Sequence, residues 1–109
     1  QNKGYEASEK ADLHELVTNI ATEAVDGPST ITLTAAGTNP DKVTITSDLD
    51  SVGTVVGLSP SNHLGANSAT TITVGSDYCI SVQNTHSGTK PWHMSVSGPS
   101  QTLAAGDCP

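Results

Sequence analysis

A single amphipathic stretch near the start of the chain constrains the fold more than any other sequence feature. At about 100° per residue, the apolar side chains of residues 7–27 fall in one stripe: Leu13, Leu16, Val17, Ile20, Ala21 and Ala24. Polar residues fall on the opposite face: Glu15, Asn19, Thr22 and Asp26. Gly27 and Pro28 end the pattern, because Gly accepts the left-handed conformation and Pro cannot continue the hydrogen-bond ladder. We predict a helix over residues 7–26 with a core face of Leu13, Leu16, Val17, Ile20 and Ala24.

The start of this helix is less well marked than its end. Ser8 could cap it, which would begin the helix near residue 7. Tyr5 and Glu6 are equally compatible with a helix that runs on upstream, and Gly4 is only a weak objection. We expect a longer helix of which this sequence holds the later part.

The remainder of the chain, residues 29–109, has the alternation and turn signals of antiparallel strands. We predict a hairpin from residues 29–36 and 42–47 around the turn 37–41, and three later strands at 70–74, 78–84 and 91–98. Residues 48–69 are rich in Ser, Gly, Asn and Asp, which predicts an irregular excursion with at most a short strand at 54–57. The tail at 101–109 is expected to be coil.

The apolar faces of the later strands predict a single α+β domain over residues 1–109. Hydrophobic residues make up only 34% of the chain and there is no Phe, so aliphatic side chains must fill a small core. We expect the helix to pack on one face of a small antiparallel sheet, with Thr and Ser on the other face exposed to water. The core-facing strand residues would be Ile72, Val74, Tyr78, Ile80, Val82, Trp92, Met94 and Val96.

Charge and hydropathy exclude several functions. The chain has four Lys, no Arg and eleven acidic residues, for a net charge of −7, so it offers no basic patch for nucleic-acid phosphates. No apolar run approaches the roughly 20 residues of a membrane span, and no signal peptide is present.

Candidate metal and catalytic motifs each fail a spacing test, and we expect no catalytic, cofactor or metal site. His14 and Glu15 resemble a helical zinc motif, but Thr18 stands where the second His is required. Asp48, Asp50 and Gly53 resemble the start of a calcium loop, but Val52 and Ser59 occupy two ligand positions. An irregular calcium site near the two aspartates remains an alternative.

His63, His86 and His93 are interpreted as surface or packing residues. No hydrolase elbow, P-loop or dinucleotide fingerprint is present, so no enzymatic activity is expected.

Two cysteines favour an exported protein with a disulfide bond. A bond from Cys79 to the penultimate residue Cys108 would close a loop of about 30 residues and contribute about 3.5 kcal/mol on the chain-entropy model. Two free buried thiols are the alternative.

The order of these features resembles the globular domain of a type IV pilin, in the minimal variety of Gram-positive bacteria. The resemblance rests on the early helix, on Tyr78, Cys79 and Asn84 in a late strand, on Trp92 in the next strand, and on the closing Gly106-Asp107-Cys108. It implies a structural subunit of an extracellular, cell-surface filament, with the cysteine pair bracketing the loop that shapes the outer surface. The partners it implies are other pilin subunits and the pilus assembly machinery.

In that family the helix is the second half of a longer one, whose first half anchors the precursor in the membrane and later packs in the filament core. This sequence lacks that hydrophobic half, the processing site and the glutamate near the mature N-terminus, so a pilin and a type II secretion pseudopilin are equally compatible. A freestanding exported ligand-binding β-module, such as a carbohydrate or adhesin domain, is the alternative from a different class. The resemblance is compatible with a filament that serves adhesion, motility, DNA uptake or secretion.

Overall fold

The first element is a long helix that begins earlier than residue 7. The computed structural model describes residues 2–109, and α1 spans Asn2–Glu23. Of the two starts compatible with the sequence, the upstream one is therefore observed. A 3-10 turn, Ala24–Asp26, follows, and Gly27 ends it at φ 74° with its N–H donating to the Ala24 carbonyl at 3.1 Å. The predicted stop at Gly27 is confirmed.

Eight strands form two four-stranded sheets, and all strand pairs in the described residues are antiparallel. In chain order they are β1 Thr30–Ala35, β2 Lys42–Ser47, β3 Asp50–Gly57, β4 Asn62–Leu64, β5 Thr71–Thr73, β6 Tyr78–Asn84, β7 Trp92–Ser97 and β8 Ser100–Ala105. The first sheet has the order β3-β2-β1-β5 and the second β4-β6-β7-β8. The α+β class and the β1–β2 hairpin are confirmed, but the single sheet predicted from the sequence is wrong.

Residues 48–69 are more regular than the predicted irregular excursion: the short strand allowed at 54–57 is part of the longer β3, and β4 was not predicted. β3 is an edge strand whose only buried residue is Val56, so it lacks the alternation that marks a half-buried strand. Its pairing with β2 shifts register between Ile45 and Ser47. Gly53 permits that shift, since it has φ 69° and a Cβ there would collide with the Ile45 carbonyl oxygen.

The first half of the C-terminal tail, as far as Ala105, is a strand rather than the coil predicted from the sequence. β8 pairs along β7, with Leu103 opposite Met94 and Ala105 opposite Trp92. None of its side chains is fully buried, which explains why the hydrophobic pattern alone does not reveal it.

The core lies between α1 and both sheets. α1 contacts β6 and β7 of the second sheet and β2 and β3 of the first. Ala24 is partly buried against this core, but Ala21 is exposed, so the apolar stripe is narrower than its spacing predicts. The buried cluster comprises Leu13, Leu16, Val17, Ile20, Ile31, Leu33, Val43, Ile45, Val56, Leu58, Ile72, Ile80, Val82 and Met94.

Candidate functional site

A disulfide bond fastens the C-terminal end of the chain to the second sheet. Cys79 in β6 and Cys108 are bonded across a sequence separation of 29 residues, with their Cα atoms 5.9 Å apart. The predicted pairing is confirmed, and no described cysteine is free. Closing a loop of this length contributes about 3.5 kcal/mol to stability on the chain-entropy model.

Asp107, beside that disulfide, clamps the tail onto the outer face of the second sheet. Its carboxylate accepts hydrogen bonds from the Ser81 hydroxyl and from the backbone N–H groups of Asn67 and Cys108. Burial alone would raise the pKa of Asp107, but these hydrogen bonds hold it below the usual range. Ser81 is fully buried here, so the expectation that Ser residues of this strand face water is wrong for Ser81.

A buried polar cluster lies under the first half of α1. Asp12 is 4% exposed and accepts hydrogen bonds from the Ser59 N–H at 2.8 Å, the Ser59 hydroxyl at 2.9 Å and the Asn62 side-chain amide at 2.7 Å. Asn62 in turn accepts from the Asn84 amide at 2.7 Å. Because the side chains of Asp12, Asn62 and Asn84 are all hydrogen-bonded, they fix the position of α1 relative to β4 and the end of β6.

Glu9 is the one member of this cluster whose carboxylate is only partly satisfied. It is fully buried; its Oε2 accepts the Asn84 N–H at 2.7 Å, while Oε1 has no hydrogen-bond partner among the described residues. Burial raises the pKa of Glu9 to about 7; the Asn84 N–H opposes the shift, and the negative charges of Glu6 and Asp12 add to it. Glu9 therefore exchanges its proton near neutral pH.

Aromatic contacts hold the start of α1 against the loop between β6 and β7. Tyr5 stacks on the His86 ring with centroids 3.9 Å apart. Glu6 accepts a hydrogen bond from the Trp92 indole at 2.8 Å, and the Lys10 ammonium lies 4.0 Å from the centre of the Trp92 ring. Trp92 therefore contacts α1 in two ways: its indole N–H donates to Glu6, and its ring faces the Lys10 ammonium.

The other end of α1 borders an apolar cavity of about 170 Å³. Ile20, Ala21 and Ala24 of the helix line it, together with Ile31, Ile72, Val74, Gly75, Ser76, Tyr78 and Val96 from the sheets. The cavity is open to solvent at the end of the molecule where β5 finishes and β6 begins.

The residues that resemble a calcium loop are used as turn and strand-end contacts. Asp48 accepts hydrogen bonds from the Ser29 and Thr30 N–H groups, and Asp50 accepts from the Gly53 N–H at 2.9 Å. Ser59 lies at the far end of β3, where it binds Asp12. Ser59 therefore lies away from the two aspartates, which stand at the start of β3.

The four histidines are also dispersed. His14 is exposed on α1, His86 stacks on Tyr5, and His93 bonds the Gly106 carbonyl at 2.8 Å. His63 lies 3.1 Å from the buried Asp41 carboxylate. Among residues 2–109, no three His, Cys, Asp or Glu side chains are grouped as a metal site would require.

Sequence reasoning missed Glu9 and Asp12 as buried residues. Both extend the apolar stripe backwards, since Glu9 lies four residues before Leu13 and Asp12 four before Leu16. An acidic residue on a core face is the signal that a polar network lies opposite, although the partners Asn62 and Asn84 follow only from the tertiary fold.

Comparison with known proteins returns no matching family model, no matching curated relative and no matching solved structure. No helix within residues 2–109 is both long and apolar enough to cross a membrane.

Proposed function

We propose that this chain is a structural subunit of an extracellular filament of the type IV pilus kind, and that its role is assembly and surface display. The observation that carries the proposal is the combination of a long N-terminal helix laid over antiparallel sheet with a C-terminal disulfide that fastens the end of the chain. The partners would be further copies of the chain and the machinery that assembles them.

The helix supports this proposal through the contrast between its two faces. Leu13, Leu16 and Ile20 are buried in the domain, whereas Ala11, Thr18 and Thr22 are exposed and small. Small side chains let neighbouring helices approach closely, but they bury too little area to hold two domains together in dilute solution. Such a face serves a subunit that associates only when another segment raises its local concentration.

The two-sheet arrangement is a departure from the single small sheet that the resemblance implies. It adds three strands, β3, β4 and β8, to the five predicted; all three are sheet edges, and β3 and β8 have mostly exposed side chains. In a filament subunit these exposed edges would face outward, and the helix would face the filament core.

Fractionation of the source cells tests the proposal. We expect antibodies against this domain to label fibres on the cell surface. They should also detect the chain in the high-mass material that shearing releases from the cells. We also expect the isolated domain to sediment as a monomer at tens of micromolar, because its helix face is weak and its net charge is −7. A chain found only as a soluble secreted monomer, or an isolated domain that forms a stable closed oligomer, would favour the freestanding β-module instead.

A further inference from the structure

Exposed apolar side chains collect at the end of the molecule where α1 finishes. Val25 is 79% exposed, Leu49 63% and Val52 82%. Leu49 belongs to the β2–β3 turn, and that turn lies beside the helix end because Asp48 accepts hydrogen bonds from the Ser29 and Thr30 N–H groups, which follow Gly27 by two and three residues. Solvent-exposed apolar groups clustered at one end are typical of a contact surface.

Carboxylates surround these apolar groups and are not neutralised. We call this region the acidic end: Glu23, Val25, Asp26, Asp48, Leu49, Asp50, Val52 and Asp77. Asp77 belongs to it because the neighbouring Tyr78 lines the same cavity as Ala24. No basic residue lies in the last turn of α1, so the negative pole of the helix adds to these charges. All four lysines lie elsewhere; Lys42 is at the opposite end of β2 from Ser47.

Three of the four lysines lie together at the other end of the molecule. The Asn2 side chain donates to the Gly88 carbonyl at 3.4 Å, which places Lys3 beside the loop that carries Lys90. Lys10 covers Trp92, two residues after Lys90. We call Lys3, Lys10 and Lys90 the lysine end; the Glu6 carboxylate, which accepts from the Trp92 indole, also lies there and is outnumbered by the three lysines.

The two ends are far enough apart to act independently. A 22-residue helix is about 33 Å long, and the longest dimension of the molecule is 41 Å. The Debye length at physiological salt is about 8 Å, so the acidic end and the lysine end do not neutralise each other within one copy.

We propose that the acidic end of one copy docks against the lysine end of a second copy, head to tail along the long axis of the molecule. The contact is heterologous, so it does not close into a dimer and repeats along a line. The lysine stems cover Val25 and Leu49 while their ammonium groups reach the surrounding carboxylates. This inference rests on the proposed filament function and names the contact that would add to the helix packing.

Two charge-reversal variants of the 109-residue chain test the proposal. The first carries Asp26→Lys with Asp77→Lys, which changes the net charge from −7 to −3 and leaves the acidic end with three carboxylates and two lysines. The second carries Lys3→Glu with Lys90→Glu, which changes it from −7 to −11 and makes both ends acidic. All four positions are exposed, so the fold should tolerate the changes, and circular dichroism checks this. Self-association and mixed association are measured by sedimentation equilibrium near 1 mM protein at low salt.

The proposal predicts that the mixture associates on the order of tenfold more strongly than either variant alone, because exposed ion pairs are individually weak. It also predicts that salt abolishes the difference. If net charge alone controlled association, the variant with a charge of −3 would associate with itself more strongly than the mixture does, because its copies repel each other least. Glu15→Lys, on the exposed middle of α1, is the control and should not impair wild-type association. Leu49→Ser should weaken the mixed association.

Equal association of the mixture and of the first variant alone would overturn the proposal, as would no association of the mixture at 1 mM. The results also distinguish an error in this contact from an error in the proposed filament function. Fibres that contain the chain while the variants do not associate would refute only this contact. Association of the variants without any fibre would refute the filament function and leave the contact.

Discussion

Replacing the buried Glu9 by Gln should remove most of the pH dependence of stability near neutrality. Its pKa is raised from the ordinary value of 4.5 to about 7 in the folded chain. The folded chain binds the Glu9 proton more tightly than the unfolded chain does. The stability that this difference contributes is fully present below the unfolded pKa of 4.5 and is lost as pH rises through 7. Ionising Glu9 on the folded chain therefore costs free energy.

The size of this effect follows from the shift. Each pKa unit corresponds to about 1.4 kcal/mol, so the full loss is about 3 kcal/mol. Between about pH 5 and about pH 8 the wild-type free energy of unfolding should fall by roughly 2.5 kcal/mol because of Glu9 alone. Glu9→Gln keeps an oxygen that can accept the Asn84 N–H and carries no charge, so the variant should gain that amount relative to wild type over this range.

Urea unfolding at both pH values, followed by circular dichroism, measures the difference. Glu15→Gln is the matched control, because Glu15 is on the same helix but exposed, and it should leave the wild-type slope unchanged. Parallel pH profiles for wild type and Glu9→Gln would show that the Glu9 carboxyl is solvated or paired in solution, and the account of the polar cluster would be refuted.

Three further outcomes are expected. Ile20→Asp should destabilise the chain by about 3 kcal/mol or more, because it buries an unpaired carboxylate, whereas Thr22→Asp on the exposed face should cost little in thermal unfolding. Reduction of the Cys108 bond should lower the free energy of unfolding by about 3.5 kcal/mol and speed amide exchange in β8 before α1; unchanged exchange in β8 would contradict the role given to the disulfide. Burial alone would raise the pKa of Asp41, but hydrogen bonds from His63 and backbone N–H groups lower it, so the stability that the ionised carboxylate contributes is lost as pH falls below about 4. Asp41→Asn should therefore reduce the fall in stability at acid pH, which an acid unfolding titration measures.

The parts of the fold that sequence alone predicts are those with strong periodicity. α1, the β1–β2 hairpin and β6 follow from apolar spacing and from turn residues such as Gly27 and those of 37–41. β3 and β8 do not, because edge strands contribute few buried side chains and their pairing is made by backbone groups that the sequence does not display. The division into two sheets likewise depends on which strands become neighbours.

The disulfide follows from the sequence because only two cysteines exist, and the bond needs no knowledge of the sheet. The polar cluster does not, since Asp12 meets Ser59 and Asn62 from nearly 50 residues away along the chain, at separations of 47 and 50. A carboxylate on a helix is ordinarily exposed, so its burial follows only from knowing its partners. The acidic end and the lysine end also depend on the tertiary fold, because Asp77 and Asp26 are distant in sequence.

The position of the disulfide determines which strands carry mechanical load. Tension applied at the C-terminus reaches Cys108, the penultimate residue, and passes through the covalent bond directly to Cys79 in β6. β7 and β8 lie inside the closed loop and are bypassed. About 29 residues, or roughly 100 Å of extended chain, are removed from the length that can be pulled out. A stretched oxidised domain should therefore lengthen by that much less than a reduced one, and its terminal hairpin should stay folded while α1 and the first sheet yield.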